Sequence, residues 1–154
     1  IIPDNIRAIS ACVFYECNTL KSVKLPDGIS EIFAGTFYSC INLETVIMPD
    51  SLIKIRLSAF EKCTSLKNVI FGRNLRNIHG AAFAGCTSLK ELTIPDTVRV
   101  IEQHAFANCT SLEKVTLSEN TFISRRIFHG CEKIHIYSSQ TGNEITDWYN
   151  GITY

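Results

Sequence analysis

Apolar residues recur along this chain at a fixed interval of 23 positions. Three residue types keep this interval in successive copies: Phe14, Phe37, Phe60, Phe83 and Phe106; Cys17, Cys40, Cys63, Cys86 and Cys109; Leu20, Leu43, Leu66, Leu89 and Leu112. A unit of this length cannot bury its apolar face alone, and stacking against its neighbours is what buries it. The pattern therefore predicts a solenoid in which each repeat forms one coil.

The pattern inside each repeat predicts a strand followed by turns. Residues 112–117 read Leu-x-x-Val-x-Leu, and such alternating, partly β-branched sequence favours a strand with one buried side. Pairs such as Pro95-Asp96 then end the strand, because proline donates no ladder hydrogen bond and aspartate bonds to nearby backbone. The Phe-x-x-Cys segment is too short for an independent helix and predicts a single helical or 3-10 turn.

Two copies depart from the pattern. In the fourth, Phe71-Gly72-Arg73 replaces the usual apolar-Pro-Asp sequence, so we expect a slightly different turn there. In the sixth, Phe128 and Cys131 arrive one residue early and the Thr-Ser-Leu sequence is missing. Terminal repeats of solenoids are commonly atypical because they adjoin a cap.

Residues 1–136 are therefore predicted to form about six repeats, and residues 137–154 a C-terminal cap. Thr141 and Glu144 fit a capping box, so we expect a helix over about residues 141–149. Its apolar stripe would consist of Ile145, Trp148 and Tyr149, with Trp148 covering the open end of the core, and residues 152–154 would form a short strand. A role for Trp148 in binding is the lesser alternative. No N-terminal cap is recognisable, and we expect further repeats before Ile1.

Composition and charge exclude several classes of partner. The chain has 154 residues with 15 basic and 15 acidic side chains, and its formal net charge is zero. That balance argues against nucleic acid or an anionic membrane surface as the main partner. No apolar run approaches the roughly 20 residues that a membrane-spanning helix needs, so membrane insertion is not expected.

The cysteines are predicted to be structural. Six of the seven share one column, which includes Cys131, and their spacing of 22 or 23 matches no zinc motif. Stacked coils would bring column neighbours near disulfide range, but equivalent parallel side chains rarely adopt the required dihedral angle. Buried free thiols are therefore preferred and disulfides are the alternative. Cys12 lies outside the column and is expected to be partly exposed.

No catalytic motif is present. The chain lacks the nucleophile-elbow, P-loop and His-Glu-x-x-His patterns, and its four histidines occupy different repeat positions. We therefore expect neither enzymatic activity nor a cofactor or metal.

The full motif is specific enough to indicate a family. Residues 94–96 read Ile-Pro-Asp, and residues 105–117 read Ala-Phe-x-x-Cys-Thr-Ser-Leu-x-x-Val-x-Leu. This sequence resembles the BspA-like, or Treponema-type, leucine-rich repeats, from Ile2 to about Ile136. We accordingly expect an α/β repeat fold: a right-handed leucine-rich-repeat solenoid with 23-residue coils, a parallel β-sheet on its concave face, short helical or 3-10 turns elsewhere and a C-terminal helical cap.

The same resemblance implies a function. BspA-like proteins are associated with attachment of bacteria to host matrix proteins, host cells or other bacteria. The resemblance thus implies a non-enzymatic protein-recognition or adhesion module at the bacterial cell surface or outside the cell. A carbohydrate-binding module or a spacer within a larger secreted protein is the alternative, and a glycan partner remains possible.

Outward-facing positions of the predicted strands are where a partner would bind. Counted from the buried residues, they are Ser22 and Lys24, Thr45 and Ile47, Asn68 and Ile70, Glu91 and Thr93, Lys114 and Thr116, and Lys133 and His135. None is Trp, Tyr or Phe, which places carbohydrate second. The candidate partner-binding residues are Ile47 and Ile70, a small apolar patch, and its neighbours Thr45, Asn68, Glu91 and Thr93. Alternatively, the two isoleucines are there only because β-branched residues favour strands.

Overall fold

The computed structural model describes residues 2–145, and its regular elements are short parallel strands. In chain order they are β1 (Ser22–Lys24), β2 (Glu31–Ile32), β3 (Thr45–Ile47), β4 (Lys54–Ile55), β5 (Asn68–Ile70), β6 (Asn77–Ile78), β7 (Glu91–Thr93), β8 (Val100–Ile101), β9 (Lys114–Leu117), β10 (Phe122–Ile123) and β11 (His135–Ser138). Odd-numbered strands pair with odd-numbered ones and even-numbered with even-numbered ones. The chain is therefore a β-solenoid of about five turns with two parallel walls.

The wall of even-numbered strands is a single five-stranded sheet that the sequence did not predict as strands. Ile32, Ile55 and Ile78 lie side by side in it and are fully or almost fully buried. Each of its strands is only two residues long, too short for an alternating pattern to identify it. The wall of odd-numbered strands coincides with the predicted strand segments from β1 to β9, whereas β11 lies two residues later than predicted.

Stacked phenylalanines form the centre of the core, as the 23-residue column predicts. The rings of Phe37, Phe60 and Phe83 are fully buried and lie nearly parallel, with centroids 5.1 Å apart. The stack continues to Phe14 at one end and to Phe106 and Phe128 at the other. Because each ring contacts the rings of the coils before and after it, every coil depends on its neighbours for burial.

The column cysteines are free thiols, and the five from Cys40 to Cys131 each donate a hydrogen bond to the preceding coil. The Sγ atoms of Cys63 and Cys86 lie 3.1 and 3.3 Å from the carbonyl oxygens of Phe37 and Phe60. A thiol is thus both a small apolar filler and a donor to a buried carbonyl, which explains why cysteine occupies this column. Five of the six column thiols are buried as predicted and Cys17 is half-buried, while Cys12 is exposed as expected.

The predicted helical or 3-10 turns are isolated turns, and residues 2–145 contain no helix. In one coil the amides of Tyr38 and Cys40 bond three residues back, to Gly35 and Phe37. The amides of Phe37 and Ser39 bond instead to the next coil, at Ala59 and Glu61. Every second amide in this segment therefore bonds to the next coil and is not available for the hydrogen bonds of a continuous helix.

The predicted helix at residues 141–149 does not begin as expected. Gly142, with a φ of 72°, bonds its amide to the carbonyl of Ser138, and Glu144 forms an antiparallel bridge with Tyr137. The Glu144 carboxylate lies 2.7 Å from Nδ1 of His135, so the capping box with Thr141 is not formed. The chain reverses at the glycine and covers the free edge of β11. Trp148, Tyr149 and residues 152–154 lie outside the described residues.

Candidate functional site

The wall of odd-numbered strands is interrupted between β5 and β7. Strands β1, β3 and β5 form one sheet and β7, β9 and β11 another, whereas the opposite wall is continuous. Most Cα pairs between β5 and β7 are more than 8 Å apart. Around the gap, β6 remains paired with β8 and the rings of Phe60 and Phe83 remain stacked. The opening is therefore confined to one wall.

The departure in the fourth repeat explains this interruption. Phe71 occupies the position at which Leu25, Met48 and Ile94 are almost fully buried in other repeats, yet it is only partly buried. Its ring packs edge-on against Phe83 at 5.9 Å. A site that fits an aliphatic side chain does not fit phenylalanine without backbone shifts, and such overpacking displaces the strand that carries it.

The turn after β5 is fixed to the preceding coil. Gly72 approaches the carbonyl oxygen of Pro49 so closely that a Cβ atom would collide with it. Arg73 donates from its amide, 2.8 Å, and from its guanidinium, 2.6 and 2.8 Å, to the Asp50 carboxylate. These Arg73 hydrogen bonds lower the pKa of Asp50. The end of β5 therefore stays with the coil before it, away from β7.

Backbone hydrogen bonds that the repeat makes elsewhere are missing at the gap. In the next repeat, the amides of Glu113 and Lys114 donate to the carbonyl of Lys90. The equivalent bonds from Lys90 and Glu91 to the carbonyl of Lys67 are absent among residues 2–145. The bond from the amide of Phe71 to the carbonyl of Thr93 is absent as well. Both strand edges therefore present free donors and acceptors.

A groove of ≈ 950 Å³ occupies this gap, and we call it the inter-strand groove. A hydrogen bond from Thr87 Oγ1 to the Thr64 carbonyl, 3.3 Å, closes one end. A second, from Thr97 Oγ1 to the Arg73 carbonyl, 2.8 Å, closes the other. The groove is thus a slot between two strands, bounded where the coils come together again.

Five of the six candidate residues line the inter-strand groove, namely Thr45, Asn68, Ile70, Glu91 and Thr93. The sixth, Ile47, lies beside Ile70 in the register of β3 and β5. Ile70 is 53% exposed and Ile47 is partly buried. The lining residues Lys67, Ser88, Lys90 and Ser111 were not predicted, although the unusual Phe71-Gly72-Arg73 sequence marked this repeat.

One predicted pair of outward positions was wrong. In β11, His135 pairs with Lys114 and Tyr137 with Thr116, so the outward residues are His135 and Tyr137 rather than Lys133 and His135. The error arose because the last coil is shorter both before Cys131 and after it. Tyr137 therefore places one aromatic ring on the strand face, 5.3 Å below the ammonium group of Lys114.

Metal-ligating side chains and thiols are the remaining candidates for a functional site. Between residues 2 and 145 no group of three or more His, Cys, Asp or Glu side chains could hold a metal ion. Burial raises the pKa of the Cys86 thiol, so this side chain is neutral and weakly nucleophilic at neutral pH. A second groove, of ≈ 760 Å³, is lined by Ile6, Phe14 and Leu20 and is the exposed end of the core.

A family model described as BspA type leucine rich repeat region matches residues 1–90 and 77–149 in six copies. The chain belongs to this family. The resemblance predicted from the motif is thereby confirmed. No curated protein sequence matches the chain.

Solved leucine-rich repeat structures share the fold. A leucine rich cell surface protein from Faecalibacterium prausnitzii is 30% identical, with a TM-score of 0.75, over 86% of this chain and 34% of that one. A leucine-rich repeat protein from Bacteroides ovatus is 35% identical, with a TM-score of 0.75, over 84% and 34%. A leucine rich repeat protein from T. pallidum is 30% identical, with a TM-score of 0.70, over 77% and 58%. The chain thus spans between a third and three fifths of these proteins.

Proposed function

We propose that this chain is a non-enzymatic protein-recognition module of a bacterial cell-surface protein, acting in adhesion. Its partner would be a host matrix protein, a host cell-surface protein or another bacterium. The proposal extends what the family and its cell-surface relative from F. prausnitzii imply to this chain. Binding would take place on the wall of odd-numbered strands, which we propose to be the concave side of the solenoid.

The inter-strand groove is the observation that supports this proposal most directly. It brings Ile70, which is 53% exposed, together with Asn68, Glu91 and Thr93 on the wall of odd-numbered strands. An apolar contact surrounded by hydrogen-bonding side chains is the usual composition of a protein interface. Asn68 Nδ2 donates to Thr45 Oγ1, 3.3 Å, so the polar rim is partly ordered before a partner arrives.

The aromatic side chains favour a glycan less. Sugars stack on exposed ring faces, but Tyr15 and Tyr38 stack on each other with centroids 5.0 Å apart. The ammonium groups of Lys62 and Lys114 lie over the rings of Tyr38 and Tyr137, at 5.2 and 5.3 Å. At least one face of each of these rings is therefore covered within the chain. A carbohydrate-binding or spacer role in a larger secreted protein stays the second hypothesis.

Charge placed on the apolar patch tests the proposal. The variant Ile47→Glu, Ile70→Glu would be compared with wild type on an array of extracellular-matrix proteins and glycans. Both side chains point out of the sheet, so we expect an unchanged circular dichroism spectrum. Binding should weaken at least about tenfold, because a carboxylate buried at an interface loses its hydration.

A matched control carries the same charge change elsewhere on the wall. Ser22→Glu, Thr116→Glu also adds two carboxylates at outward positions, on β1 and β9. We expect this control to bind like wild type. Equal affinity of both double variants for every array member would refute the proposed surface.

A further inference from the structure

We infer that the inter-strand groove accepts an extended peptide segment of the partner protein, which joins the wall as an additional strand between β5 and β7. The inference rests on the proposed function, since it specifies how the same surface recognises a protein. Its first basis is width. Adjacent paired strands are about 4.8 Å apart, so strands separated by much more than this cannot pair directly. Most Cα pairs across the gap exceed 8 Å.

The second basis is the pattern of free backbone groups. The Lys67 carbonyl and the Phe71 amide on one edge, and the Glu91 amide and the Thr93 carbonyl on the other, lack the partners that equivalent groups have in other coils. Each edge thus offers both a donor and an acceptor. An extended peptide presents the complementary groups along both of its sides, and pairing of this kind is a known mode of peptide recognition.

The third basis is that the slot is built to stay open. The Thr87–Thr64 and Thr97–Arg73 hydrogen bonds hold the coils together at its ends. Gly72 and Arg73 fix the end of β5 on the preceding coil. A peptide therefore meets a largely preformed site and does not have to separate two paired strands, which lowers the cost of binding.

The side chains around the slot indicate which peptide fits. Val69, on the core side of β5, is partly exposed, whereas its counterparts Val46 and Val115 are fully buried. An apolar residue of the inserted strand would cover it. On the outer side, Asn68, Glu91 and Thr93 favour polar neighbours. The expected segment is thus extended and alternates apolar with polar residues.

A labelled peptide copy of residues 111–119, acetylated and amidated, is a suitable probe. This segment contains β9, which pairs with a strand on each side in the protein itself. We expect saturable binding to the wild-type chain by fluorescence anisotropy. The same peptide N-methylated at the amides of its Val115 and Leu117 keeps every side chain but loses two donors. It should bind at least about tenfold more weakly.

Two variants of one residue test the protein side. Glu91→Pro removes an amide that faces the groove and has no partner there, while Glu91→Ala removes the same side chain and keeps the amide. We expect Glu91→Pro to bind the peptide about tenfold more weakly than Glu91→Ala. Equal binding by the two variants, equal binding of the N-methylated peptide, or no saturable binding to wild type would overturn the inference.

The same variants separate this inference from the proposed function. If Glu91→Pro binds the partner protein normally while Ile47→Glu, Ile70→Glu does not, the proposed binding surface is supported and the inference of strand insertion is refuted. If both variants bind normally, both ideas fail. Displacement of the peptide by a glycan that binds Glu91→Pro and Glu91→Ala equally would assign the groove to carbohydrate and overturn the inference.

Discussion

The buried thiol of Cys86 should make the stability of this chain fall at alkaline pH. The side chain is fully buried, and its Sγ atom lies 3.3 Å from the carbonyl oxygen of Phe60. Burial raises the pKa of this thiol far above the value of about 8.5 that a cysteine has in an unfolded chain. Above pH 8.5 the unfolded state therefore releases a proton that the folded state keeps.

The sign and size of the effect follow from proton linkage. A group whose pKa is raised on folding contributes fully below its unfolded pKa and loses that contribution as the pH rises. Each pH unit above the unfolded pKa removes about 1.4 kcal/mol per thiol. Between pH 8.0 and pH 9.5, Cys86 alone should lower the free energy of unfolding by about 1.3 kcal/mol.

Urea unfolding of the wild-type chain and of Cys86→Ala, both with a reductant, measures this term. Cys86→Ala loses some stability at both pH values because the side-chain contacts disappear. Every other side chain is the same in the two proteins, so the remaining contributions largely cancel in the comparison. The stability difference between the two proteins should shrink by about 1.3 kcal/mol from pH 8.0 to pH 9.5. The same difference at both pH values would refute the linkage.

Two further predictions concern packing. Phe83→Ala removes a fully buried ring from the centre of the stack and should lower the free energy of unfolding by about 3–5 kcal/mol. The control Phe122→Ala, at a side chain that is 65% exposed, should lower it by less than about 1 kcal/mol. Comparable losses for the two variants in chemical unfolding would contradict the stacked core. Gly72→Ala should lower stability by about 1–3 kcal/mol because its Cβ meets the carbonyl of Pro49. Gly80→Ala, where the nearest atom is 3.3 Å away, is the control, and an equally stable Gly72→Ala would exclude the close approach.

The coil length and the core columns could be predicted because, in a stack of coils, residues that are one repeat apart in sequence are in contact. Phe60 meets Phe83 because equivalent residues of adjacent coils must lie side by side. The C-terminal cap could not be predicted in the same way. Thr141 and Glu144 suit a helix start, but Gly142 permits a reversal that lets Glu144 bridge to Tyr137. Tertiary pairing there overrode a local signal.

Five candidate residues at the groove could be found because outward positions follow from counting along each strand, and because Ile47 and Ile70 are apolar where solvent is expected. The groove itself could not be predicted from the sequence, since the separation of β5 from β7 depends on how Phe71 packs against Phe83 in the next coil. The sequence marked the fourth repeat as unusual but carried no measure of that displacement. Tyr137 was missed for a simpler reason, because two shortened segments shift the register of the last coil.

Interruption of one wall is tolerated because each pair of coils is held together in several places. Between the coils that carry β5 and β7, the rings of Phe60 and Phe83 stack on each other. On the opposite wall, β6 pairs with β8. The free backbone groups at the gap line a solvent-accessible groove, so water satisfies them at little cost. A peptide that replaces this water restores the missing ladder on both edges. The repeat that departs from the pattern can therefore differ in function without weakening the core that it shares with the others.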